Sequence, residues 1–164
     1  MFLMQIVAND RRLNVGKVIN VVVDASGSMM EDDKNAVVKY LINGICNIRQ
    51  SSEYKDVEFV LFQWGNNSIK FDNIVKAKIE FKGKTSYDDF RAIEGEIDSN
   101  CPMILISDGG FSKSDKNQME KLSKHIIPIF VGADANRAIL KDIATDKIVY
   151  SVTDFMQALE EAKM

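Results

Sequence analysis

Cysteine, histidine and proline are scarce here: two, one and two residues respectively in a chain of 164. Small secreted domains stapled by disulfides carry more cysteine. Cys46, inside an apolar helical pattern, and Cys101, at the head of an apolar run, therefore read as two buried free thiols in a reducing cytoplasm. The lone histidine, His125, precedes an apolar run and reads as a surface or packing residue, not a base. Neither sign of charge dominates. Twenty-one basic against 24 acidic residues leave a net charge of −3, which argues against a polyanion partner such as nucleic acid. No run approaches the ~18 apolar residues a bilayer span needs. The opening MFLMQIVANDRR has neither a basic region before its apolar residues nor a small-residue cleavage pattern, so it does not read as a signal peptide. Walker A and G-x-G-x-x-G patterns are both missing, and with them the usual signs of a nucleotide site. No repeat, low-complexity tract or linker interrupts the chain.

What is present is enough for one core: 46% hydrophobic residues and 9% aromatics. The expectation is one cytoplasmic domain over residues 1–164, with no membrane association. Residues 1–16 form an extension whose first twelve either add an edge strand or stay loose. Four nearly continuous apolar runs, Val18 to Val23, Val57 to Phe62, Met103 to Ile106 and Ile126 to Val131, suit strands buried on both faces. Helical spacing fills the gaps. Val37, Leu41, Ile45 and Ile48 mark a helix over about Asp32 to Gln50 with Glu31, Asp32 and Asp33 in its first turn. Phe90, Ile93 and Ile97 mark a second helix, Met119 and Leu122 a shorter third, Ile139, Leu140 and Ile143 a fourth, and Phe155, Leu159 and Ala162 the last. This alternation predicts an α/β fold, a mostly parallel sheet with helices on both faces. Asn66-Asn67 signals a hairpin to an antiparallel edge strand near Ile69 to Phe71. Ile74 to Phe81 alternates like a further half-exposed extended segment. Pro128 places its strand near an edge or at a bulge, and Asn20 is a polar intrusion in the first strand.

Ligands of open parallel sheets bind beyond the carboxyl ends of the strands, so the strand ends deserve inspection. The first run ends D-A-S-G-S and the third ends I-S-D-G-G, bringing Asp24, Ser26, Ser28 and Asp108 toward one place. Alternate side chains of an extended segment point the same way. Asp24, Ser26 and Ser28 can thus aim three oxygens at one point while Gly27 lets the backbone turn. Oxygen-only ligands suit Mg²⁺, Mn²⁺ or Ca²⁺ better than zinc. In FKGKTSYDDF, Thr85 and Ser86 both stand at capping-box spacing from an acid. One can cap while the other coordinates, and Ser86 is the better cap because Asp89 falls at the third helical position.

At this point the chain resembles the von Willebrand factor A domains. DASGS matches their D-x-S-x-S motif, Thr85 in GKTS their loop threonine, and Asp108 in ISDGG their later aspartate, over about Lys17 to Val149. The resemblance implies a Rossmann-like doubly wound sheet of six strands ordered 3-2-1-4-5-6 with the hairpin strand antiparallel. It also implies a metal-ion-dependent adhesion site: Ser26, Ser28 and Thr85 binding the cation directly, Asp24 and Asp108 close by, often through water. Lys84 replaces the second glycine common in the family's loop, a departure that bears on the loop's path.

A site with mostly neutral hydroxyls and two carboxylates leaves the cation short of charge. An Asp or Glu of a partner protein can complete it, so recognition and not turnover is the expected output. The partner classes the resemblance implies are AAA+ ATPases of the MoxR kind and stress-response or tellurite-resistance-type systems. Two alternatives stay in view. One is a metal-independent scaffold in which the same residues only brace the loops. The other is a metal-dependent phosphatase-like enzyme, disfavoured because aspartyl phosphotransferases need a second acid where Ser26 stands. Trp64 reads as hairpin packing or a secondary contact. The dispersed methionines read as core filling, except Met29 and Met30, which either rim the site or pack under the first helix.

Overall fold

In the computed structural model, which describes residues 17–164, the apolar runs become strands: β1 (Lys17–Asp24), β2 (Val57–Trp64), β4 (Met103–Ser107) and β5 (Ile126–Phe130). A two-residue strand, β3 (Ile69–Lys70), returns antiparallel to β2 from the Asn66-Asn67 turn. The order is β3-β2-β1-β4-β5, with β1 parallel to both β2 and β4 and β4 parallel to β5. Expectations for residues 1–16 fall outside the described residues.

Among the described residues the sheet has five strands and not six. The sixth position is reduced to one parallel bridge, Ile129 to Tyr150. The chain there turns at Lys147 (φ 58°) just before it and enters a 3-10 turn, Val152–Asp154, just after, so no ladder can grow. Ile74 to Phe81 is not a strand either. Asn73 caps a 3-10 turn at Ile74–Lys76. Beyond it the Glu80 amide donates to the Gln63 side chain (2.8 Å) and the Lys82 amide to the Ala25 carbonyl (2.9 Å), bonds that replace a regular ladder. Pro128 sits in β5, the last strand of the sheet, as a missing ladder donor requires. Asn20 is buried and reaches the Pro102 carbonyl at 3.4 Å.

Alternation along β1 divides the core. Ile19, Val21 and Val23 face α1 (Lys34–Ile48) and α5 (Phe155–Lys163), packing with Leu41, Ile45 and Leu159. Val22 faces α2 (Tyr87–Glu94), α3 (Lys113–Met119) and α4 (Arg137–Ile143), packing with Trp64, Phe90, Met119 and Leu140. Full burial of such side chains contributes ~1.5–3 kcal/mol each. Helices thus cover both faces, as an interior parallel sheet demands. Trp64 is fully buried, edge-on to Phe90 at 5.7 Å, and donates its indole N–H to the Ser86 carbonyl at 2.7 Å. It is packing, not a platform. Cys46 and Cys101 are free and only partly buried. No described helix is long and apolar enough to cross a membrane.

Helix α1 starts later than its spacing suggested. Asp32 and Asp33 take left-handed φ values of 50° and 59°, so the three acids precede the helix and Lys34 opens it. Its buried stripe runs Lys34, Val38, Leu41, Ile45, with Val37 and Ile48 only partly covered.

Candidate functional site

Because β1 and β4 are parallel neighbours, the loops after them share one edge of the sheet, at the point where the strand order reverses. Asp24 ends β1 and is wholly buried. The Ser26 amide donates to its Oδ1 at 2.9 Å and the Ser107 hydroxyl, from the end of β4, to its Oδ2 at 2.6 Å. Burial pushes the Asp24 carboxyl above its ordinary range. The hydrogen bonds from Ser107 and Ser26 oppose that without cancelling it, and neighbouring Asp108 adds to the rise. No basic side chain pairs with Asp24 among the described residues. Two residues on, the Ser26 and Ser28 hydroxyls stand 3.0 Å apart.

Asp108 follows β4, and its Oδ1 accepts the Gly110 amide at 2.9 Å. Gly110 is where the two strand-end loops meet. A Cβ there would lie 2.9 Å from Asp108 Oδ1 and 3.5 Å from Ser28 Oγ, so both oxygens converge on a space only glycine leaves open. The third contributor is tied on by backbone bonds: Gly27 donates to the Gly83 carbonyl, and Lys82 to that of Ala25, each at 2.9 Å. Thr85, in this loop, is buried. Ser86 forms the capping box with Asp89 that the spacing favoured, which leaves Thr85 free of that duty. Lys84 lies exposed to solvent. Met29 is buried in the core, whereas Met30, 52% exposed, stands beside the loop.

Lys34 is the residue sequence reasoning missed. Its side chain is fully buried, and its ammonium donates to Asp108 Oδ2 at 3.0 Å and to Asp134 Oδ2 at 2.8 Å. Burial alone would lower its pKa, but the bonds to Asp134 and Asp108 outweigh that and raise it. Gly132 (φ 93°) makes the room: a Cβ there would come within 2.5 Å of the Lys34 Cε. A signal existed. Lys34 heads the same helical stripe as Val38, Leu41 and Ile45, and a lysine on a core stripe calls for a buried acid.

The structure therefore brings Asp24, Ser26, Ser28 and Asp108 together and binds the loop of Thr85 against them. Their chemistry is two carboxylates and hydroxyls, a donor set that suits a hard divalent cation. One of the two carboxylates already has a cation beside it.

No family model and no curated sequence matches the chain. Solved structures do. An aerotolerance-related membrane protein from Bacteroides fragilis aligns with 90% of this chain over 96% of its own, at 12% identity and a TM-score of 0.67. Manganese-loaded TRAP from Plasmodium vivax aligns with 92% of this chain over 74% of its own, at 13% identity and 0.66. A von Willebrand factor type A protein from Catenulispora acidiphila aligns with 90% over 42% of its own, at 14% identity and 0.56. The chain thus has a von Willebrand factor A fold. At these identities the likeness is one of fold.

Proposed function

We propose that the chain is a recognition module that holds a divalent cation, Mg²⁺ or in its place Mn²⁺ or Ca²⁺, at the mouth between β1 and β4 and uses it to capture a carboxylate of a protein partner. The observation that carries this reading is Asp24, a carboxylate without solvent or a basic partner among the described residues, beside two hydroxyls 3.0 Å apart. A buried charge without compensation is costly, and a cation relieves it. Ser26, Ser28 and Thr85 would hold the ion, with Asp24 and Asp108 behind them. When bound, the ion supplies an electron-poor centre with room for one further carboxylate oxygen.

The chain's own residues prepare that arrangement. Ser107 and the Ser26 amide fix both oxygens of Asp24, the Gly110 amide and Lys34 fix both of Asp108, and exposed Met30 offers an apolar rim. The fold shared with manganese-loaded TRAP supports the reading. With Ser26 where aspartyl phosphotransferases carry an acid, we read the output as binding and not catalysis. The scarcity of cysteine favours a cytoplasmic setting, and the family resemblance favours a partner such as an AAA+ ATPase of the MoxR kind or a stress-response or tellurite-resistance-type system. One observation favours a second reading, a metal-independent scaffold: Lys34 already neutralises Asp108.

Thermal unfolding separates the two. At a Mg²⁺ or Mn²⁺ concentration 100 times Kd, linkage adds about 2.7 kcal/mol, or roughly 5–11 °C in Tm for a chain of this size, and Asp24→Ala removes the shift. Equal Tm with Mg²⁺ or Mn²⁺ and with EDTA, together with partner capture indifferent to EDTA, selects the scaffold.

A further inference from the structure

At the opposite end of the sheet, where β5 begins, three side chains meet that the site above does not use. His125 precedes β5, Asp146 lies in the loop after α4, and Glu161 lies on α5. One ligand atom from each falls within 4.8 Å of the others. The ring nitrogen Nε2 of His125 is 3.4 Å from Asp146 Oδ2 and 3.6 Å from Glu161 Oε1. Although the imidazole is partly exposed, Nε2 itself is buried and makes no hydrogen bond among the described residues.

Those separations decide between two explanations. An imidazolium held by two carboxylates closes to at least one charge-assisted bond of about 2.7–2.9 Å, and neither contact here is that short. Zinc bonds of about 2.0–2.1 Å to nitrogen and 2.0–2.2 Å to oxygen give a tetrahedron whose N···O edges are about 3.3–3.5 Å. The 3.4 Å separation falls at that spacing, and the 3.6 Å separation lies about 0.1 Å beyond it, within the reach of a small side-chain adjustment.

The surroundings also hold the carboxylates toward the imidazole. The Tyr150 hydroxyl donates to Glu161 Oε2, so one oxygen is oriented while Oε1 faces the imidazole. Such outer partners hold first ligands in place. The loop carrying Asp146 is stitched to the start of β5: the Thr145 amide donates to the Ile126 carbonyl (3.1 Å), and the Ile126 amide to the Thr145 hydroxyl (2.8 Å). Imidazole with carboxylates suits zinc and its borderline neighbours, not the hard ions of the hydroxyl site.

We infer that His125 Nε2, Asp146 Oδ2 and Glu161 Oε1 form a second cation site, for Zn²⁺ or a similar transition-metal ion, with a fourth position left to water. It clips α5 and the loop after α4 to the start of β5. It is independent of the strand-end site in residues, place and metal preference.

The test is calorimetric titration of the full chain with Zn²⁺, and with Co²⁺ as a spectroscopic probe, in excess Mg²⁺ so that the hydroxyl site is occupied. One Zn²⁺ should bind per chain, and Co²⁺ should develop the intense visible bands of four-coordination. His125→Ala should weaken binding at least ~100-fold and Tyr150→Phe by about 10–100-fold, whereas Asp24→Ala should leave it unchanged. Asp146 is exposed, so Asp146→Asn provides a variant whose fold is not at risk, and it should lose binding too. Zn²⁺ binding of wild-type strength in both His125→Ala and Asp146→Asn overturns the inference, as does a Co²⁺ spectrum no different from that of the aqueous ion.

Discussion

Replacing Lys34 by methionine tests how the buried charges at the strand ends are balanced. Methionine keeps the unbranched stem that passes Gly132, so packing changes little and the ammonium alone is lost. Asp134 is 56% exposed and simply hydrates, which limits its share to about 1 kcal/mol or less. Asp108 is only 6% exposed and has no such escape. Removing one member of a buried pair costs about 3–5 kcal/mol because the survivor stays desolvated. The lower end applies here, since the Gly110 amide still serves Asp108 Oδ1. The expected loss is about 3 kcal/mol in EDTA, or a Tm lower by roughly 6–12 °C. Urea unfolding should show the loss as a shifted midpoint at constant slope. Asp108→Asn in the same chain removes the stranded charge and should restore more than half, a coupling above about 1.5 kcal/mol. A single substitution costing under 1 kcal/mol, or a double variant in which the losses add, would refute the claim that Lys34 is the counter-ion of Asp108.

Other expectations follow from adjacent residues and side-chain partners. Ser86→Ala should cost about 1 kcal/mol through the lost cap of α2 and leave any Mg²⁺-dependent rise in Tm intact, while Thr85→Ala should do the reverse. Equal loss of the Mg²⁺ response in both variants would contradict the division of labour between these neighbours. Two of the four tyrosines donate to helix α5, Tyr54 to Glu160 and Tyr150 to Glu161. The bond to Glu161 and burial push Tyr150 up to about 12, and burial with Glu160 raises Tyr54 further. A raised folded pKa favours the neutral phenol. Their contribution is thus complete below pH ~10 and is lost as pH rises toward and through the folded values. An ultraviolet titration should show both ionising late, and Tyr150→Phe should remove the step near 12. All four titrating near 10 would contradict these contacts.

How far the sequence was legible depended on how local each cause was. Continuous valine and isoleucine runs mark strands covered on both faces, and they fall within a residue or two of β1, β4 and β5. Ser86 with Asp89 is a four-residue signal and reads directly as a cap. Asp24, Ser26 and Ser28 lie within five residues, so their proximity is local, but Ser28 comes from a 3-10 turn that starts at Gly27 and not from the extended period its spacing suggested. Ile74 to Phe81 misled because alternation records a half-exposed segment but not its hydrogen-bond partner, which is the Gln63 side chain and not a ladder. The acids at 31–33 fit a helix start by charge, yet two left-handed residues postpone it. Lys34 was hidden because its partners come from positions 108 and 134, and His125 because its neighbours come from 146 and 161. Those pairings belong to topology, which no window of sequence contains.

Charge arithmetic joins the strand-end residues into one argument. With Asp24 and Asp108 both ionised, as they must be to hold a cation, the buried members carry two negative charges against one positive on Lys34, a net charge of minus one in a poorly solvated place. Exposed Asp134 is screened by water and counts for little. On the proposed reading, a divalent ion would convert minus one into plus one, and one carboxylate from a partner would return the site to neutrality. Without Lys34 the same ion would meet two uncompensated acids, bind more tightly and end neutral, with no remaining pull on a third. Lys34→Met should therefore move two affinities in opposite directions: tighter for Mg²⁺ by calorimetry, weaker for an Asp-bearing partner. A variant that loses both, or keeps both, would place Lys34 outside the recognition chemistry and leave it only its structural role.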